Sequence, residues 1–149
     1  MSAAFRPRGA IRISAVRRLP RRSPRQAFST VTCRNWAAVA RRREGVSPHT
    51  LWRETAFRNY ADYAESETFR QAFAALLDCA RERRTAIMCA ETVWWRCHRR
   101  IIADYLIAAG ETVTHILDVG RTEPARLTEG AVKRADGTVL YAGPDRLLL

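Results

Sequence analysis

The stretch between Thr85 and Leu117 constrains the fold most, because it alternates strand-like and helix-like patterns within about 33 residues. Residues 85–89 have the pattern of a short buried strand, 101–109 that of a helix ending at Gly110, and 113–117 that of a second strand. A run of this kind predicts a βαβ unit with parallel strands and a right-handed crossover. The sequence therefore predicts an α/β fold: a small, mostly parallel sheet with flanking helices.

Three further elements are predicted outside this unit. Ser66 has the position of an N-cap for a helix whose apolar residues recur at steps of three and four. Residues 52–63 predict a short helical or irregular segment that packs on the sheet. Asp136 and Gly137 separate two strand-like runs within residues 132–141, which predicts a C-terminal hairpin.

The charge is distributed very unevenly along the chain. Residues 1–43 hold twelve Arg and no Asp or Glu, whereas residues 44–149 hold fourteen basic and fifteen acidic side chains. The high isoelectric point of about 10.9 therefore describes the N-terminal part alone. We predict an Arg-rich, irregular or disordered segment at 1–43, with one short strand at 11–16, followed by an α/β domain at 44–149.

The composition also bears on location and partners. No apolar stretch approaches the roughly 18–20 residues of a membrane-spanning helix, and no secretory signal pattern is present. We expect a soluble cytoplasmic protein with no membrane partner, or a mitochondrial one if residues 1–43 are a transit peptide. The basic segment is also typical of a nucleic-acid-binding arm. Nothing in the sequence indicates the oligomeric state.

Chemistry-bearing side chains concentrate in the predicted strand-to-helix turn at residues 88–100. Helical periodicity places His98 toward the sheet, on the side where the strand delivers Cys89. In an enzyme, Cys89 would be the nucleophile or redox thiol, stabilised as a thiolate by nearby cations and the helix start. His98 would be its base, Glu91 would orient the imidazole, and Cys97 would form a disulfide with Cys89. The alternative is structural: two buried thiols and a core histidine.

Two other kinds of site use the same stretch. Arg99 and Arg121 are candidate anion-binding residues, together with free amides at the helix start. Two thiols and an imidazole also suit zinc, but the spacing of Cys89 and Cys97 exceeds that of zinc knuckles. Cys97 and His98 would also diverge by about 100° on a helix. We therefore predict no metal or other cofactor and keep zinc as the less favoured alternative.

Several stretches resemble the DUF488 domain family, whose patterns include SPNTxWR, FRGYADYM, a cysteine motif MCAE with WRCHR, and HILxPGR. The matching residues here are 47–53, 57–63, 87–91, 95–99 and 115–121. The resemblance implies a small α/β domain of unestablished activity whose cysteine motif points to an enzyme, and Arg53 in the first stretch joins the anion-binding candidates. Val93, Trp94, Arg100 and Val119 depart from the family patterns.

The N-terminal part diverges from the family. Residues 14–20 resemble its DVRRFP pattern, with Ala15 in place of the aspartate, and the agreement then ends. Residues 32–40 are compatible with codons that, read one base earlier, encode the family's LPELGG followed by two arginines. We therefore favour a disrupted reading frame over a transit peptide or a nucleic-acid arm, and expect an impaired, marginally stable protein.

The sequence thus favours a thiol-dependent enzyme that acts on a small anionic substrate. The alternative is a non-catalytic module that binds phosphate or nucleic acid through Arg96, Arg99, Arg100 and the basic segment. The sequence alone does not decide between an enzyme and a binding module.

Overall fold

The computed structural model describes residues 11–15, 45–89, 91 and 93–143. The strands are β1 (Ile11–Ala15), β2 (Thr85–Cys89), β3 (Val113–Asp118), β4 (Arg121–Pro124), β5 (Ala131–Lys133) and β6 (Val139–Tyr141). The helices are α1 (Thr55–Ala64), α2 (Glu67–Glu82) and α3 (Arg99–Ala108), and a 3-10 helix covers Trp94–Arg96. No helix in these ranges is both long and apolar enough to cross a membrane.

The described strands form one sheet of order β2-β1-β3-β4 and a separate β5-β6 hairpin. β1 is parallel to both β2 and β3, whereas β4 is antiparallel to β3 and β6 is antiparallel to β5. The prediction of a mostly parallel sheet is therefore not supported, and the fold is a mixed arrangement of helices and strands. A tight turn at Gly120, with φ of 71°, returns the chain as β4, an element that the sequence did not predict.

β1 occupies the interior of the sheet, between β2 and β3. The two strands of the predicted βαβ unit are thus parallel, but they are not neighbours. β1 also belongs to the segment 1–43 that the sequence analysis sets apart from the domain. The domain boundary at 43–44 stays a prediction. β1 nevertheless pairs with strands from beyond this boundary, as part of the same sheet. The rest of that segment, with the predicted irregular structure and shifted frame, lies outside the described residues.

Local signals account for the helix ends. Ser66 caps α2, accepting a hydrogen bond from the Phe69 amide at 3.2 Å, as predicted. Gly110 follows α3 with φ of 86°, a left-handed conformation that ends the helix there. Gly137, with φ of 84°, turns the predicted C-terminal hairpin, and residues predicted as short helical or irregular form α1.

α3 is the centre of the hydrophobic core. Ile101, Ile102 and Leu106 are fully buried, and Tyr105 meets Phe69 of α2 edge to face at 5.0 Å. Burying side chains of this size contributes about 1.5–3 kcal/mol each. This packing holds α3 against the sheet and so places the N-terminus of α3 beside the carboxyl end of β2.

Candidate functional site

Two thiols and an imidazole meet where β2 ends and α3 begins. Cys89 is the last residue of β2, and Cys97 and His98 lie between the 3-10 helix and α3. The sulfur atoms of both cysteines and a ring nitrogen of His98 all lie within 4.8 Å of one another. The structure therefore brings together three of the four residues that the sequence predicts to be catalytic.

The backbone at Cys97 explains this convergence. Cys97 is extended, with φ of −118° and ψ of 149°, and His98 is the N-cap of α3. The two adjacent side chains therefore do not follow helical geometry, and Cys97 Sγ lies 3.5 Å from His98 Nδ1. The predicted divergence of these side chains by about 100° requires both residues to lie within a helix, whereas α3 starts at Arg99.

Arg99 is enclosed by the protein. Its side chain is fully buried, and its Nε donates a hydrogen bond to Cys97 Sγ at 3.4 Å. Its Nη2 donates to the Glu91 carbonyl oxygen at 2.5 Å. The guanidinium therefore stabilises the positions of Cys97 and Glu91 through hydrogen bonds. Because it is buried, it does not suit the predicted role of direct contact with an anionic substrate.

Glu91 contributes to the site through its backbone. Its amide donates a hydrogen bond to the Cys89 thiol, its carbonyl accepts from Arg99, and its side chain is exposed. These contacts do not support the predicted role of the Glu91 carboxylate in orienting His98. The ring next to His98 is instead that of Tyr60, with centroids 4.9 Å apart. Tyr60 lies in the stretch 57–63 that resembles the family pattern, but nothing in the sequence indicated that it lies at the site.

Burial sets the protonation states of the site. It raises the pKa of the Cys89 thiol, and the neighbouring Cys97 adds to this, against the Glu91 amide and the Arg99 charge. Burial also lowers the pKa of His98, as does Arg99. At neutral pH the resting pair is therefore a neutral thiol and a neutral imidazole, where the sequence analysis expected a stabilised thiolate.

A second imidazole is buried deeper on the same side of the sheet. The ring of His115, on β3, stacks on Trp94 with centroids 3.7 Å apart and an angle of 13°. Its side chain is buried, with a relative exposure of 2%. One face of the Trp94 ring is therefore covered by His115.

The other arginines of interest lie in different surroundings. Arg53 and Arg121 are exposed, before α1 and on β4. Arg100 is half-buried, because its Nε donates to Thr128 Oγ1 at 3.0 Å and its guanidinium lies over the Trp52 ring. Of the three arginines predicted to contact nucleic acid, Arg96 alone is exposed. The basic N-terminal segment, the other part of that prediction, lies almost wholly outside the described residues.

Comparison with known proteins agrees with the motifs. No curated protein and no solved structure matches the chain. The profile of one family, described as a domain of unknown function and designated DUF488, matches residues 7–106. This range covers about two thirds of the sequence and includes β1, the cysteine motif and most of α3. The chain therefore belongs to the DUF488 family.

Proposed function

We propose that this domain is a thiol-dependent enzyme that acts on a small anionic substrate, with Cys89 as the attacking thiol. The observation that carries the proposal is the mutual approach, within 4.8 Å, of Cys89, Cys97 and His98. A nucleophile, a base and a second thiol are the groups that covalent sulfur chemistry requires.

Exposure distinguishes the two thiols. Cys89 is partly exposed and Cys97 is buried, with a relative exposure of 2%. A substrate therefore reaches Cys89 first. Cys97 lies behind it, against His98 Nδ1 and Arg99 Nε, in the position of a resolving thiol.

The neutral resting state implies general-base catalysis. Cys89 loses its proton as it attacks, and the neutral imidazole of His98 accepts that proton. With a small disulfide as substrate, Cys89 attacks one sulfur and releases the other half as a thiol. Cys97 then attacks the mixed disulfide, which releases the second half as a thiol and leaves a Cys89–Cys97 disulfide. Two protein thiols are oxidised and one substrate disulfide is reduced.

Positive charge near the sulfurs favours an anionic substrate. The buried charge of Arg99 lies behind Cys97, and the exposed Arg96 directly precedes Cys97 in the chain. We therefore assign direct contact with the substrate to Arg96, with Arg99 as a fixed charge that attracts anions to the site.

Matched alkylating reagents test the proposal. Iodoacetate and iodoacetamide react with the same chemistry but differ in charge, and mass spectrometry reports labelling at each cysteine. In a Cys33→Ser background, we expect Cys89 labelling to slow by about tenfold or more in His98→Asn. We expect Arg96→Gln to lower the ratio of iodoacetate to iodoacetamide rates, and the exposed-site control Arg126→Gln to leave it unchanged.

Cys79 on α2 serves as the internal control, because a change in its labelling rate would report a general loss of structure. Cys89 labelling that is independent of His98 would refute general-base activation. A reagent ratio that equals that of a small neutral thiol would refute the preference for anions.

A further inference from the structure

We infer that Cys89, Cys97 and His98 in their reduced form bind one zinc ion, with three protein ligands and an open fourth position. This inference goes beyond the proposed function and does not depend on it. It concerns the same three residues when both thiols are reduced and no substrate is bound.

The distances fit a tetrahedral zinc ion. Zinc lies about 2.3 Å from thiolate sulfur and about 2.0 Å from imidazole nitrogen, so tetrahedral ligand atoms are about 3.5–3.8 Å apart. Cys97 Sγ and His98 Nδ1 already lie 3.5 Å apart. All three ligand atoms lie within 4.8 Å of one another, so closure around zinc needs shifts of only about 1 Å.

The fold holds the ligands from two independent elements. Cys89 ends a strand, and the extended backbone of Cys97 turns its sulfur toward the ring of His98. α3, which begins directly after His98, is held by the buried core. A site built between a strand end and a helix start does not need the short spacing of a zinc knuckle. The extended backbone of Cys97 also removes the expected divergence of Cys97 and His98, so neither argument against zinc from the sequence applies.

Groups around the ligands match those that support zinc thiolates. Arg99 Nε donates to Cys97 Sγ, and the Glu91 amide donates to the Cys89 thiol. The Tyr60 ring packs against the imidazole of His98 and restricts its rotation. Hydrogen bonds to the ligands and restricted ligand rings orient a metal site and raise its affinity.

The ligand number indicates the type of site. Within the described part of the chain, the cluster has three ligand atoms, from two cysteines and one histidine. Structural zinc sites use four protein ligands, whereas sites with three keep a position for water or a substrate. Zinc withdraws electron density from the Cys89 sulfur, so a bound ion is expected to slow alkylation of Cys89 relative to the free thiolate.

Metal titration of the full-length reduced chain tests the inference. After chelation of bound metal, equilibrium dialysis against zinc is expected to give one zinc per chain. Cobalt at the same site is expected to show thiolate-to-metal charge transfer and the absorption of a tetrahedral ion. We expect Cys89→Ser, Cys97→Ser and His98→Asn each to weaken zinc binding about tenfold or more, and Cys79→Ser to leave it unchanged.

The cobalt spectrum of the chain without substitutions tests thiolate ligation directly, so the test does not depend on variants that fail to fold. A cobalt complex without thiolate charge transfer, or zinc binding that is unaffected by all three ligand variants, would overturn the inference. Alkylation separates this inference from the proposed function. His98-dependent labelling in a chain that binds no zinc would refute the metal site alone. Stoichiometric zinc with an inert Cys89 in the metal-free chain would refute the proposed enzyme alone.

Discussion

Arg99 Nε donates a hydrogen bond to Cys97 Sγ at 3.4 Å, and the arginine side chain is fully buried. The same guanidinium donates to the carbonyl oxygen of Glu91. Arg99 therefore ties the chain that follows β2 to the first turn of α3. A buried charge held by hydrogen bonds of this kind is costly to disturb, because its partners have no water to replace it.

We predict that Arg99→Gln lowers the free energy of unfolding by about 2–4 kcal/mol, because two hydrogen bonds from a charged donor are lost in a buried site. Arg99→Lys restores little, since an ammonium group lacks the planar arrangement of Nε and Nη2. Urea unfolding measures the change, with the exposed Arg96→Gln expected to stay within about 0.5 kcal/mol of the parent. Equal losses in the Arg99 and Arg96 variants would contradict the role of Arg99.

His115 is expected to make stability depend on pH. Burial lowers its pKa below 6.5, and Arg99 lowers it further against the opposing charge of Glu123. Above pH 6.5 the ring is neutral in both the folded and the unfolded chain. As the pH falls below 6.5, the unfolded chain takes up the proton first, so the free energy of unfolding decreases.

We predict that His115→Phe reduces this loss of stability, because phenylalanine keeps the stack on Trp94 and has no group to protonate. Its free energy of unfolding at about pH 7.5 should lie within about 1 kcal/mol of the parent, since His115 Nδ1 is buried without a hydrogen-bond partner in the described structure. Part of the pH dependence is expected to remain in the variant, because burial and Arg99 also lower the pKa of His98. Urea unfolding at about pH 7.5 and 5.5 measures the free energy of unfolding at each pH. An equal decrease between these pH values in parent and variant would contradict the prediction.

Asp104 is expected to act in the opposite direction. It is buried, and its oxygens accept hydrogen bonds from the Thr128 amide at 2.8 Å and the Tyr141 hydroxyl at 3.0 Å. Burial raises its pKa above 3.8, although these hydrogen bonds oppose the shift. The folded chain thus holds this proton more tightly than the unfolded chain, and the contribution to stability falls as the pH rises above 3.8.

We predict that Asp104→Asn removes this pH dependence and keeps an acceptor in place. Asp104→Ala leaves the Thr128 amide and the Tyr141 hydroxyl without their acceptor and is expected to cost about 2–4 kcal/mol. Urea unfolding between about pH 4 and 7 distinguishes the two variants. If the Asn and Ala variants lose the same stability at neutral pH, the hydrogen bonds are not what Asp104 contributes.

The elements that sequence reasoning placed correctly depend on local signals. Ser66 caps α2 and Gly137 turns the hairpin, and both signals act within a few residues. The order of the strands depends on pairing between residues far apart in the chain. The position of β1 between β2 and β3 therefore had no signal in its own sequence.

The same distinction applies to the site. Cys89 and His98 were expected together, because a strand-to-helix turn is short and brings its two ends close. The direction of Cys97 and the burial of Arg99 were not predicted. The first depends on a 3-10 helix that breaks the helical period. The second depends on tertiary partners, the Cys97 sulfur and the Glu91 carbonyl, for a residue type that usually lies in solvent.

The position of β1 leads to a last prediction, on the truncation of the chain. β1 pairs with β2 along all five of its residues and with β3 along four. Among the described strands, β2 joins the sheet through β1 alone. A chain that lacks β1 exposes the hydrogen-bonding edges of β2 and β3 and loses the strand that connects them.

We therefore predict that a chain beginning at residue 17 unfolds in urea without a steep transition, whereas one beginning at residue 9 unfolds as steeply as the full chain. The two truncations differ by eight residues, and the shorter chain is the one without β1. The slope of the free energy of unfolding against urea measures the surface that unfolding exposes. Equal slopes and midpoints in the two chains would show that β1 is dispensable, and would place the whole folding unit in residues 17–149.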